Sequence, residues 1–251
     1  MTRKETGASF DIYPLSETAI TIQFGTFIDI DLHRRVRTIT HHLEERPFAG
    51  FLECVPAFSS VTVYYDALRV LQSEQTGGYS SVNTRSAYDI VSSYLKKLLE
   101  KLTHIKEDSP RQIEIPVCYG GDLGPDLDFV AKHNNLTTDE VIQIHSSGEY
   151  LVYMIGFAPG FPYLGGMSEK IAAPRRSTPR ATIVKGSVGI AGSQTGVYPI
   201  STPGGWQLIG RTPVELFCPN DPIPSLLQAG DVIRFKPISL EEYKEYKEGL
   251  A

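Results

Sequence analysis

The sequence predicts a small α+β domain over residues 1–108, followed by a mostly-β domain, a barrel or sandwich, over residues 109–251. In the first hundred residues, apolar positions alternate with period two in some segments and recur every three or four residues in others. Residues 103–110 are mostly polar and end on a proline, as a linker does. Beyond residue 149 the apolar runs are short and interrupted by Gly and Pro, which is typical of many short strands.

The first domain is predicted to have a β-α-β-β-α order. The segment from Ala19 to Phe24 alternates like a half-buried strand, and FLECV and VTVYY are two further strand patterns. A first helix is predicted from about Asp31, with Asp29 or Asp31 as its cap and an apolar stripe of Leu32, Val36, Ile39 and Leu43. The second helix has the stripe Tyr88, Val91, Leu95, Leu98 and Leu102. This order favours a sheet with both helices packed on one face.

The second domain begins with a strand pattern, RQIEIPVCY, and a short helical pattern, DLDFVAKHN. A second helix is predicted in TTDEVIQIHSSG, where Thr137 and Glu140 have the spacing of a capping box and Gly148 is placed to end the helix. Short strand patterns follow, and SLEEYKEYKEG is predicted to be a charged surface helix.

Composition argues against several classes of function. A net charge of −5 disfavours general nucleic-acid binding. No apolar run is long enough to cross a membrane, and no signal-peptide core is present, so we expect a cytoplasmic protein. The three cysteines form no CxxC pair. Neither a GxSxG nor an HExxH motif occurs, and no cluster of side chains has metal-ligand spacing, so no metal is expected.

The segment from Ile155 to Thr212 is the most informative for function. Aromatic residues lie among its glycines and prolines, where they either line a cleft or plug the end of a barrel: Phe157, Phe161, Tyr163, Tyr198 and Trp206. From Lys170 to Val214 there are six basic residues and no acidic residue, although the whole chain is acidic. This pattern indicates either a site for an anion or an acidic partner, or a solvated basic face.

Two further features of this region bear on chemistry. The spacing of Gly186, Gly189 and Gly192 matches neither of the nucleotide-binding motifs GxGxxG and GxxxxGK(S/T). These glycines are therefore interpreted as part of a glycine-relieved strand or bulge. His145 ends a predicted helix just before the strand that leads into IGFAPGF. A histidine at a helix C-terminus is also favoured by the helix dipole alone.

Long motifs in this segment resemble the KipI/allophanate-hydrolase-subunit-1 family. They are HSSGEYLVYMIGFAPGFPYLGG, APRRSTPR, GSVGIAGSQTGVYP and PGGWQLIGRTP, with AGDVIRF near the C-terminus. The likeness continues more loosely into the N-terminal half from SETAITIQFG. The chain departs from the family pattern at Ile183-Val184-Lys185, where a V-P-A type sequence is more usual. The resemblance implies a small α/β domain followed by a cyclophilin-like β-barrel.

The resemblance also implies a function. Family members are similar to the B subunit of the multi-subunit, ATP-dependent 5-oxoprolinase, which opens 5-oxoproline to glutamate together with subunits A and C, one of them a related subunit-2-type cyclophilin-like protein. ATP is used by that complex, without a site assigned to this chain. The alternative is a protein that inhibits a sensor histidine kinase, as the relative KipI does.

Site residues carried over from the family fall into two groups. His145 is the candidate for proton transfer. The expected substrate-binding residues are Phe157, Gly160, Phe161, Arg175, Arg180, Gln194, Thr195, Tyr198, Gly205, Trp206 and Arg211. Within this set, Arg175 or Arg180 would hold the carboxylate of 5-oxoproline, and the Gln194 amide would meet its lactam.

Overall fold

A computed structural model describes residues 10–27, 29–75, 85–102 and 110–249. The chain divides into two compact units, residues 1–109 and 110–251. Except for Pro110, the linker predicted over residues 103–110 lies outside the described residues. Each unit has its own hydrophobic core.

In its described residues, the first unit consists of a four-stranded antiparallel sheet and three helices. Its elements are β1 (Asp11–Ser16), β2 (Ala19–Gln23), α1 (Ile30–Glu45), β3 (Phe51–Pro56), β4 (Ser60–Tyr65), α2 (Ala67–Gln75) and α3 (Ala87–Leu102). The strand order is β1-β2-β4-β3. Apolar side chains of β2 and β4 share one core with the buried stripes of α1 and α3. The helix-plus-sheet character predicted for this region is confirmed.

Local signals in the sequence determine α1. The Asp29 side chain accepts hydrogen bonds from the backbone N–H groups of Asp31 and Leu32, so Asp29 is the cap of the two candidates. Val36, Ile39 and Leu43 of the predicted stripe are fully buried. The cap and the stripe therefore agree on where the helix begins and which face it buries.

The second unit is mostly β. Its elements are β5 (Gln112–Tyr119), α4 (Leu127–His133), α5 (Thr138–Ser146), β6 (Tyr150–Ile155), β7 (Pro162–Gly165), β8 (Arg180–Ile183), β9 (Ser187–Ala191), β10 (Gln194–Val197), β11 (Thr202–Gly204), β12 (Gln207–Arg211), β13 (Val232–Pro237) and α6 (Leu240–Glu248). Seven strands form one sheet in the order β10-β9-β12-β5-β13-β6-β7, and its two edge strands β10 and β7 contact each other. The predicted barrel is thus confirmed as a nearly closed sheet.

Two helices pack into the same core as the barrel strands. α4 contacts β12, and α5 contacts β13. The capping box predicted for α5 is present, with Thr137 and Glu140 each bonding the other's backbone N–H. Among the described residues, no helix is both long enough and apolar enough to cross a membrane.

Candidate functional site: an aromatic cluster beside an arginine strap

An aromatic cluster centred on Phe161 brings together the aromatic residues predicted for the site. Phe161 is buried, and its ring meets those of four others edge-on, at centroid distances of 5.5 Å to Phe157, 5.4 Å to Tyr163, 5.7 Å to Tyr198 and 6.0 Å to Trp206. Edge-to-face pairs at these distances are favourable. Ile183 and Leu208 complete the cluster.

The missing side chain of a glycine makes room for this cluster. A Cβ at Gly196 would lie 3.1 Å from the Trp206 ring and 3.2 Å from the Phe161 ring. Gly196 lies on β10 between Gln194 and Tyr198, and side chains alternate along a strand. Gln194 and Tyr198 therefore project to the same face of the strand as the cluster. The glycine at position 196 therefore allows the rings of Trp206 and Phe161 to approach strand β10 closely.

Phe157 is presented to solvent by a strained turn. It is 71% exposed, and its φ of 67° lies in the left-handed region. The Ala158 N–H donates to the Gly156 carbonyl at 2.8 Å, so Phe157 is the central residue of a γ-turn of the rare positive-φ kind. A bulky residue held in this way is uncommon and costs roughly 1–3 kcal/mol. The turn fixes an aromatic ring at the surface instead of burying it.

Tyr198 brings a hydroxyl to the cluster, and Arg175 lies close enough for its charge to act on that hydroxyl. Burial raises the pKa of Tyr198 to about 12, while the positive charges of Arg175 and Arg180 act in the opposite direction. The phenol therefore stays protonated near neutral pH and can donate a hydrogen bond. Within the described ranges, neither the Tyr198 hydroxyl nor the exposed Arg175 guanidinium has a hydrogen-bonding partner. Two free donors beside apolar rings suit a small carboxylate.

Asp126, just before α4, organises the other two arginines of this region. It is 5% exposed, and its Oδ1 accepts hydrogen bonds from Arg180 Nη2 at 2.8 Å and Arg176 Nη1 at 3.2 Å. Its Oδ2 accepts from the Leu208 N–H at 2.7 Å. We call residues 174–180, which carry these arginines and Arg175, the arginine strap.

Acidic side chains from other parts of the chain therefore reduce the positive potential expected for the segment from Lys170 to Val214. Arg176 and Arg180 share Asp126, and Lys185 pairs with Glu215 at 2.7 Å. Both acidic residues lie outside the basic segment of the sequence. Arg180 is thus already paired with a carboxylate, and Arg175 is the arginine of the strap left to bind an anion.

His145 lies in the barrel core and not in the aromatic cluster. It is fully buried, and its ring stacks on Phe235 at a centroid distance of 4.5 Å. Thr195 Oγ1 donates to the Gly189 carbonyl at 3.1 Å, so it accepts from His145 Nε2 at 2.9 Å, and Nδ1 then accepts from the Tyr119 hydroxyl at 2.8 Å. Burial lowers the pKa of His145 to about 3. A neutral histidine with both nitrogens bonded supports the core, and this geometry lends the proton-transfer hypothesis no support.

The remaining predicted residues are divided between these places. Thr195 belongs to the histidine network, and Gly205 accepts a hydrogen bond from the Arg176 N–H at 2.8 Å, which holds the strap. Arg211 pairs in register with Ser187 and Cys118, and its Nε is buried without a hydrogen-bond partner among the described residues. The structure therefore groups the aromatics, Gly205 and the strap arginines, and places His145 and Thr195 elsewhere.

The glycines Gly186, Gly189 and Gly192 form no phosphate loop. Gly189 lies within strand β9, while Gly186 and Gly192 occupy positive-φ turns at its two ends. This arrangement confirms the interpretation as a glycine-relieved strand. In the part of the chain that the structure describes, no group of three or more His, Cys, Asp or Glu could hold a metal ion.

Asp126 is the important residue that the sequence reading missed. It lies 50 and 54 residues from the two arginines that it binds. In the sequence it precedes an ordinary helix pattern, where an aspartate is explained by capping alone. No local signal distinguishes it from a simple helix cap.

Comparisons with known proteins identify the family of this chain. The family described as carboxyltransferase domain, subdomain C and D, matches residues 10–227. A Bacillus subtilis protein named as the B subunit of 5-oxoprolinase is 51% identical over 95% of this chain and 97% of its own length. Its Escherichia coli O157:H7 namesake is 39% identical over 90% of this chain and 94% of its own.

A solved structure supports the fold as well. A conserved uncharacterized protein from Pyrococcus horikoshii is 41% identical, with a TM-score of 0.52 over 93% of this chain and 100% of that one. The likeness thus extends over both units. The chain belongs to the carboxyltransferase subdomain C and D family, among relatives that are named as the B subunit of 5-oxoprolinase.

Proposed function

We propose that this chain is the B subunit of a multi-subunit, ATP-dependent 5-oxoprolinase that converts 5-oxoproline to glutamate. Support comes from relatives of that name that are 39–51% identical and match nearly the full chain. The observation that carries the proposal is the unpaired Arg175 guanidinium beside the protonated Tyr198 hydroxyl at the edge of an aromatic cluster.

The chemistry of 5-oxoproline fits this site. Its carboxylate would accept hydrogen bonds from Arg175 and Tyr198, and its small ring would pack against Phe157 and Trp206. The Gln194 amide, on the same face of β10, would pair with the lactam. Arginine and a neutral phenol are both donors, so together they favour a carboxylate over a cation. The role of this chain in the proposal is to bind and orient the substrate.

The reaction needs partners. Opening a lactam at the expense of ATP is assigned here to a cytoplasmic complex with subunits A and C, one of them a related cyclophilin-like protein. ATP is a substrate of the complex, and no residue of this chain is assigned to it. We therefore expect the isolated chain to hydrolyse no ATP. No feature of the described residues favours the kinase-inhibitor alternative over this function.

Reconstitution tests the proposal. This chain would be combined with subunits A and C of the same complex. ATP hydrolysis and glutamate formation would then be measured with and without 5-oxoproline. We expect both activities only in the full complex with substrate present. ATP hydrolysis at the same rate with and without 5-oxoproline, or the absence of glutamate formation, would contradict the proposed function.

A matched pair of variants tests the site. Arg175→Ala removes a charge-assisted hydrogen bond of about 1.5–3 kcal/mol, so we expect KM for 5-oxoproline to rise roughly 10- to 100-fold. Lys170→Ala removes another exposed positive charge from the same stretch of chain and should leave KM unchanged. If the two variants behave alike, Arg175 does not hold the carboxylate.

A further inference from the structure

We infer that Asp126 is a positioning residue for 5-oxoproline binding: it holds the arginine strap in place, so that Arg175 meets the substrate at the aromatic cluster. The inference rests on the proposed function for its substrate. Asp126 itself is buried, and its side chain binds the guanidinium groups of Arg176 and Arg180. It acts on the substrate only through them.

The two carboxylate oxygens of Asp126 have separate tasks. Oδ2 accepts from the Leu208 N–H at 2.7 Å, while the Asp126 N–H donates to the Leu208 carbonyl at 2.8 Å. These bonds join the start of α4 to β12. Oδ1 takes no part in them and receives only the guanidinium groups of Arg180 and Arg176. One oxygen supports the fold, and the other determines where two arginines lie.

The strap is held on both sides of Arg175. Before it, the Pro174 carbonyl accepts a hydrogen bond from Gln207 Nε2 at 2.8 Å. After it, the Arg176 N–H donates to the Gly205 carbonyl at 2.8 Å, and the Arg176 side chain reaches Asp126. Arg175 is therefore a free side chain on a fixed piece of backbone, and Asp126 anchors the side chains of Arg176 and Arg180 that follow it in the strap.

Arg180 links the same anchor to the aromatic cluster. While Nη2 binds Asp126, Nη1 lies 3.5 Å from the carbonyl of Trp206. Trp206 packs against Phe161 and Tyr198, at centroid distances of 6.0 Å and 6.2 Å. A change at Asp126 therefore reaches the rings as well as the strap.

Asp126→Asn separates the two tasks. Asparagine keeps the size of the side chain and one oxygen, which can still accept from the Leu208 N–H. It then turns an NH₂ group toward Arg180 and Arg176, and donors do not bind donors. The variant also makes the site more positive by one charge. Simple attraction of an anion would then lower KM for 5-oxoproline, whereas loss of positioning would raise it.

The sign of the change in KM therefore decides between these explanations. We expect Asp126→Asn to raise KM in the reconstituted complex by on the order of 10- to 100-fold, since small misplacements of binding groups have effects of this size. We expect kcat to change much less. An unchanged or lowered KM would overturn the inference.

Asp231→Asn is the matched control. Asp231 is 3% exposed and binds an arginine with one oxygen at 2.8 Å and the other at 2.6 Å, and it accepts from the Gln228 N–H at 2.7 Å. It is thus another buried aspartate with an arginine and a backbone partner in the same unit, but it contacts no residue of the cluster or strap. We expect a similar loss of thermal stability with KM within about twofold of the unchanged protein. Equal increases of KM in both variants would mean that Asp126 acts through general stability, and would overturn the inference.

A double variant tests whether Asp126 acts through its arginines. Arg180→Gln and Asp126→Asn remove two ends of one contact, so their effects on KM should be clearly less than additive when combined. Full additivity would contradict positioning through Arg180.

A second readout does not depend on catalysis. Trp206 is the single tryptophan of the chain, so its fluorescence reports on the cluster alone. Asp126→Asn should shift the Trp206 emission of the folded chain and Asp231→Asn should not. If the unchanged complex shows no 5-oxoproline-dependent ATP hydrolysis, the proposed function fails. The positioning role is then judged by this shift, and its absence would overturn that role on its own.

Discussion

Replacing His145 by leucine separates a structural role from a catalytic one. The change removes the hydrogen bonds to Tyr119 and Thr195, each about 1 kcal/mol, and leaves the Tyr119 hydroxyl without a partner. Thr195 keeps its bond to the Gly189 carbonyl, so one orphaned hydroxyl remains, at a cost of about 1–3 kcal/mol. The expected total is about 3–5 kcal/mol. For a chain of this size, that corresponds to a melting temperature lower by roughly 6–20 °C.

The assay combines thermal unfolding with activity of the reconstituted complex at a temperature where the variant is folded. A second variant, His145→Leu with Tyr119→Phe, removes the orphaned hydroxyl and should recover about 1–2 kcal/mol. We expect both variants to keep kcat/KM within a few-fold. A loss of 100-fold or more in the folded double variant would refute this reasoning and return His145 to a role in proton transfer.

Two further predictions follow from particular residues. Phe157→Gly should change the free energy of unfolding by no more than about 1 kcal/mol, because relief of the positive-φ strain offsets the lost ring contact with Phe161 and the greater freedom of glycine in the unfolded chain, yet it should raise KM for 5-oxoproline. Chemical denaturation and kinetics measure both, and a loss of more than about 2 kcal/mol would contradict the strain. The stability difference between the unchanged chain and His145→Leu should shrink by about 1.4 kcal/mol per pH unit as pH falls from 6.5 towards 3. The reason is that the unfolded chain binds a proton at His145 while the folded chain, whose histidine pKa is lowered, does not. Urea unfolding at pH 7 and pH 5 tests this, and a constant difference would show that the histidine charges freely in the folded chain.

The elements with strong local signals could be predicted from sequence, and those determined by tertiary contacts could not. The stripe of α1 and the capping box of α5 are repeated side-chain patterns within one element, and both were confirmed. β1 was missed because it carries Pro14 and a register shift between Pro14 and Ser16, features that weaken a strand pattern. α2 was missed as well.

The candidate site shows the same division. The aromatic residues Phe157, Phe161, Tyr198 and Trp206 converge from turns and connections between strands, and the sequence pattern of aromatics among glycines and prolines indicated this. The positive potential predicted from the sequence is partly neutralised in the folded chain. The absence of acidic residues from one segment does not exclude an ion pair with an aspartate more than fifty residues away. His145 misled for a related reason: its neighbours at Tyr119 and Thr195 lie 26 and 50 residues from it. The partners of each polar group meet only in the folded barrel, so a short stretch of sequence does not reveal them.

The position of β13 has a consequence for how the second unit forms. This strand lies between β5 and β6 in the sheet, and it pairs in parallel with β5, with Val232 opposite Gln112 and Pro237 opposite Val117. During synthesis, β5 and β6 leave the ribosome long before the strand that separates them. We expect the first unit to acquire its structure while the chain is still growing, and the barrel to stay open until β13 has emerged. Contacts of such sequence separation slow folding, so the late arrival of a single strand governs when the barrel closes.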